Sequence, residues 1–117
     1  MSFFSSNIVR SEMTEISEIQ EEIYKNVFKF PTMTKEDKIR HVDLLDKLLN
    51  KQKILYTRLS LSDDPEAQSM KEKISSSAAM MGLSPGVDMN VIFNNMSKML
   101  ELMKNQIDKN DSDDYNE

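Results

Sequence analysis

The stretch at residues 34–60, TKEDKIRHVDLLDKLLNKQKILYTRLS, decides how the rest of the chain is read. Within it Ile39, Val42, Leu45, Leu48, Leu49, Ile54, Leu55, Tyr56 and Leu59 recur at helical spacing over about seven turns, which predicts one long helix with a wide buried face. Such a face needs partners, and the flanking sequence supplies them.

Upstream, Ile8, Val9, Met13, Ile16, Ile19, Ile23, Val27 and Phe30 mark an apolar stripe, predicting a first helix that runs to about Phe28. Glu12, Glu15, Glu18, Glu21 and Glu22 lie mostly off that stripe. Val9, Ile16, Ile23 and Phe30 repeat every seven residues, the spacing that suits shallow-angle packing on a long antiparallel neighbour. Phe3 and Phe4, just before the cap candidates Ser5, Ser6 and Asn7, read as a hydrophobic staple. Pro31 disfavours helix at Phe30, and Thr34 three residues before Asp37 is a helix start, so a short turn is placed at residues 30–33. Two helices joined by so short a turn form an antiparallel hairpin.

Downstream, LSDDPE at residues 61–66 interrupts the pattern and offers a new start at Asp64 or Pro65. A third helix carries Ala67, Met70, Ile74, Ala78 and Met81. Ser75, Ser76 and Ser77 weaken it before Gly82 offers a stop. LSPGV at residues 83–87 is a second breaker and Asp88 the next cap. Helix 4 then presents Met89, Ile92, Phe93, Met96, Met99, Leu100, Met103 and Ile107. The closing DKNDSDDYNE has no periodicity, and disorder is expected after about Asn110. The expected architecture is all-α: a long antiparallel hairpin plus two shorter helices, bundle-like and dimeric, with one domain at 1–110 and an acidic tail at 111–117.

Composition agrees with that reading. A chain of 117 residues holds one core, and 30% charged residues with two glycines and three prolines favour long helices over a turn-rich β architecture. Without cysteine there is no disulfide framework, thiolate nucleophile or cysteine metal site. A net charge of -5 argues mildly against nucleic acid and anionic membranes as partners. The opening MSFFSSNIVR lacks a basic region followed by an apolar run, and no segment approaches the roughly 18 apolar residues of a membrane span. A cytoplasmic setting is therefore expected.

Few residues suggest chemistry. His41, the single histidine, stands one turn after Asp37, and no Glu-x-x-His pair accompanies it, so we read it as structural or surface rather than as a ligand. RLSLSDDPE at residues 58–66 could set Asp63 and Asp64 beside Arg58 for a cation or phosphate. The alternative is a helix junction in which the acids cap helix 3 and Arg58 neutralises the end of helix 2, and that reading is preferred. The acidic tail lacks the glycine of a calcium loop. Lys47, Lys51, Lys53 and Arg58 give helix 2 a basic character without interleaved aromatics, so a small nucleic-acid-associated regulator stays as the alternative function. No catalytic residue, cofactor or metal is assigned.

Methionine is the compositional excess. There are ten, and Met80, Met81, Met96, Met99 and Met103 cluster at the end of helix 3 and along helix 4. Methionine fills cores, and it also makes adaptable binding surfaces. Met81, Met96, Met99 and Met103 are accordingly the candidate interaction surface, for self-association or for another protein. A dimer would also cover the ends of helices 1 and 2 if these project past a shorter second half.

SFFSSNIVRSEM at residues 2–13, KILYTRLSLSDD with the following PEA at 53–67, and IFNNMSKMLELMK at 92–104 together resemble a family of small cyanobacterial proteins. That family has members in cyanophages and is catalogued as a domain of unknown function. SPGVD and DDPEA are more similar to the phage versions. The resemblance implies a cyanobacterial or cyanophage origin and a cytoplasmic setting, and it brings no activity or catalytic position. A non-enzymatic helical interaction protein of unknown biological role is the leading expectation, a host-takeover adaptor or assembly factor if it is phage-encoded.

Overall fold

The computed structural model describes residues 2–80 and 88–115, with side chains described outside 78–80 and 110–115. It contains four α-helices, α1 (Asn7–Asn26), α2 (Lys35–Leu61), α3 (Pro65–Met80) and α4 (Met89–Tyr115). Short 3-10 segments lie at Phe3–Ser5 and Val27–Thr32, and no strand occurs among the described residues. The chain is all-α.

Local chemistry sets the boundaries. Thr34 caps α2 by accepting from the Asp37 amide at 3.2 Å, with Glu36 and Asp37 in the first turn and Arg58 in the last, the polarity that a helix dipole favours. Ser6 caps α1 through the Val9 amide. The α1 helix stops at Asn26, slightly short of the expected Phe28, and Asn26 Nδ2 donates back to the Glu22 carbonyl at 3.0 Å. Instead of a short turn at residues 30–33, the connection is a 3-10 helix that contains Pro31. Proline's fixed φ near about -65° fits a 3-10 turn, so it tightens the helix here.

α2 is the spine. Leu48 and Leu55 turn toward α1, packing with Val9, Ile16, Phe3 and Phe4, while Leu49 and Tyr56 pack with Met89 and Phe93 of α4. Each member of the second pair is one residue on from the first, about 100° around the helix, so α1 and α4 occupy different faces of the same rod. Both run antiparallel to it. Glu12 meets Arg58 and Glu15 meets Lys51 on one side, and Asp43 meets Lys104 and Lys35 meets Asp108 on the other. α3 adds Ile74 to the α4 cluster and buries Ala67 completely.

Several expectations change with this geometry. Ile54 is half exposed, because it lies about 100° from Leu55 and so points away from the face that meets α1. Ile8 and Met13 on α1, and Val27 at the start of the following 3-10 segment, are also substantially exposed. The second half is not uniformly shorter: α4 equals α2 at 27 residues, and its helix runs on to Tyr115, past the expected end near Asn110. A hairpin projecting past a shorter second half is therefore not what the fold shows. The Gly82 stop and the 83–87 breaker lie outside the described residues.

Candidate interaction surface

α4 is preceded by Asp88, whose Oδ1 accepts from the Asn90 amide at 2.9 Å. From there the helix divides lengthwise into three strips. Met89 and Phe93 are buried on α2, with the Phe93 ring 5.9 Å from Tyr56 and Ile92 and Leu100 half-buried alongside. One flank of that strip is polar and tied to α2. Lys104 Nζ donates to Asp43 Oδ1 at 2.7 Å, and Lys35 pairs with Asp108 at 3.6 Å. The hydrogen bond and charge of Asp43 hold the Lys104 ammonium above its ordinary pKa.

The other flank is apolar and uncovered. Val91, Met96, Met99, Leu102 and Met103 are 39 to 67% exposed, leaving on the order of 500 Å² of hydrocarbon and thioether surface, the scale at which a patch on a small protein is functional. It also lacks charge along much of its length, since residues 89–97 contain no ionisable side chain in a chain that is 30% charged. Depletion of charge with enrichment of methionine is the composition of interface cores.

Of the four residues singled out from sequence, Met96, Met99 and Met103 lie on this flank, and Met81 lies outside the described residues. Leu102 and Val91 were not singled out. Both fall off the main stripe of helix 4, and apolar residues off the buried stripe were the signal of a second face.

The polar constellation does not assemble. His41 is buried in α2 with its ring 5.4 Å from Phe30, and the Lys38 ammonium lies 5.7 Å over that same Phe30 ring. Arg58 is about 25 Å further along the helix. Its Nε donates to Glu12 Oε1 at 3.0 Å rather than meeting Asp63 or Asp64. Asp64 is a structural acceptor: Oδ1 takes the Glu66 amide at 2.9 Å as the cap of α3, and Oδ2 takes the Phe3 amide. These two backbone bonds, Phe3 first, hold its carboxyl below the ordinary aspartate range. Asp63 is exposed. Among the described residues no group of three or more His, Asp or Glu is placed to hold a metal ion.

The basic character of α2 is largely spoken for as well. Lys51 pairs with Glu15 and Arg58 with Glu12, and the bond and charge of Lys51, helped by Lys47, lower the Glu15 pKa. No helix among the described residues is long and apolar enough to cross a membrane.

Fold and surface together define an all-α helical protein organised on one central helix, with an uncovered apolar flank on α4. The chain belongs to the family described as "Domain of unknown function (DUF1825)", whose model matches residues 1–107. Neither a curated protein nor a solved structure matches it.

Proposed function

We propose that this chain is a non-enzymatic protein-binding module whose working surface is the apolar flank of α4. The observation that carries this is the exposure of Val91, Met96, Met99, Leu102 and Met103 within about 140° of the helix circumference, an arc they share with Asn95 and Gln106 and that lies away from the side packed on α2. Methionine supports the reading chemically, since an unbranched, polarizable side chain adapts to a partner's shape. In the cyanophage setting suggested by the resemblance, such a module would serve as a host-takeover adaptor or an assembly factor. The nucleic-acid reading finds less support, because two of the four basic groups it would use are engaged by α1 glutamates.

The test is comparative capture. Immobilised wild-type chain and a Met99→Glu/Leu102→Glu variant are incubated with a cyanobacterial lysate, after circular dichroism has shown equal helicity. Proteins retained by the wild type and lost by the variant are expected. Identical retention by both forms would refute the assignment of this surface.

A further inference from the structure

The flank fits one occupant better than others. A stable interface takes about 800 Å² from each partner, of which about 60% is apolar, so each side supplies on the order of 500 Å² of apolar surface. That is the size of the uncovered strip on α4. The strip runs from Val91 to Met103, about 18 Å along α4, so the contact required is one helix segment laid along another.

Charge then selects the partner and its direction. Each chain carries a net charge of -5, so two copies repel unless they meet where neither presents acids. The outer face of α1 is excluded by this rule, with Glu15, Glu18, Glu21 and Glu22 all exposed. α4 satisfies it in its first half, where Lys98 is the sole charged residue among residues 89–100. Its second half does not, since residues 101–115 contain five acids against two lysines. A parallel pair would set acidic end beside acidic end. An antiparallel pair sets each acidic end beside the dipole-positive start of the other helix, where the capping Asp88 is the single acid from 88 to 100 and Lys98 balances it, so the repulsion is smaller than for the parallel pair.

We propose that the flank is occupied by a second copy of this chain, α4 against α4 and antiparallel, about a two-fold axis passing between Met99 and Leu102. This rests on the protein-binding reading above and names its partner. Met99 of each copy then faces Leu102 of the other, with Met96 and Met103 closing the sides.

Three measurements on the full chain test it. Light scattering across a concentration series should give twice the chain mass for the wild type, and the chain mass for Met99→Glu/Leu102→Glu. The Met99→Lys/Leu102→Lys variant should likewise be monomeric alone, and mixing the two variants should restore the double mass, which a folding failure could not do. Because the chain lacks cysteine, Asn90→Cys carries a single spin label. Its distance to the copy's label should be about 30 Å for the antiparallel pair, against about 10 Å for a parallel one. A strictly monomeric wild type, failure of the mixed variants to pair, or the short label distance overturns the proposal. With a monomeric wild type, capture that the Glu variant loses would leave the protein-binding reading standing, and no such capture would remove both.

Discussion

Truncating Leu59 to alanine strips the side chain of a residue that has no exposed surface, in the last turn of α2. Removing a leucine from a fully packed site costs about 2 to 5 kcal/mol, the transfer of the lost carbons plus the cavity they leave. Nearby backbone limits how far the site can collapse, since Gln68 Nε2 of α3 donates to the Leu59 carbonyl at 3.4 Å and to the Ser62 carbonyl at 2.6 Å. The upper half of that range is therefore expected. For a chain of this size each kcal/mol moves the midpoint by roughly 3 to 5 °C, so the thermal unfolding midpoint followed by circular dichroism should fall by about 10 to 25 °C. Ile54→Ala is the control. Ile54 sits five residues earlier in the same helix but is 50% exposed, so its truncation should cost only about 1 kcal/mol and under about 5 °C. Both are measured at one protein concentration, so that any self-association contributes equally. Equal losses, or a larger one at Ile54, would mean that the buried face of α2 has been assigned to the wrong residues.

Asp64 couples the Phe3–Ser5 turn to the start of α3, and its lowered carboxyl pKa fixes a sign: the stabilisation is present at neutral pH and is lost as the pH falls below about 4 and through the depressed folded value. The protection factor of the Phe3 amide, its exchange relative to an unprotected amide at the same pH, should fall in that window, and Asp64→Ala should show the low protection already at pH 7 with no further loss in acid. Glu12 and Arg58 should respond unequally to removal of the partner, because Glu12 Oε2 is buried without a hydrogen bond while Arg58 is nearly half exposed. Arg58→Met should lower the unfolding midpoint by the equivalent of about 1 to 2 kcal/mol and Glu12→Met by less; the reverse order would show that the carboxylate is solvated. Fluorescence anisotropy with duplex DNA at low salt should show no binding, and salt-dependent binding would instead mean that the α2 cations are available to phosphate.

The hairpin was legible because several independent signals agree on it. The heptad of Val9, Ile16, Ile23 and Phe30, the cap at Thr34 and the nine apolar positions of α2 all point to two long antiparallel helices, and the first three heptad residues are buried while Phe30 is half-buried in the 3-10 connection. Details that depend on which way a helix face points were less legible. Ile54 and Ile8 belong to apolar stripes by spacing, yet a helix with neighbours on only part of its circumference buries only part of a wide stripe. Pro31 was read as a breaker, and its fixed φ also fits the 3-10 geometry it occupies. The role of Asp64 was half visible: its position before Pro65 announced a cap, while the bond to Phe3 joins residues 61 apart in sequence. No local pattern encodes such a pairing.

The uncovered flank follows from the same arrangement that makes α2 buried. A helix packed by α1 on one face and α4 on another is shielded along its length, but each outer helix then has α2 as its main support. α1 answers with glutamates over much of its outer surface, which keeps that side in water. α4 answers differently. Beside its polar ties at Lys104 and Asp108 it keeps Met99 and Leu102 pointing outward, where lysine or glutamate would give equal helix propensity and better solubility. The fold does not need apolar groups at those two positions. A surface that the fold does not need and that water disfavours calls for a cover, and in the proposed pair a second α4 supplies it, its acid-poor start lying beside the acidic end of the first.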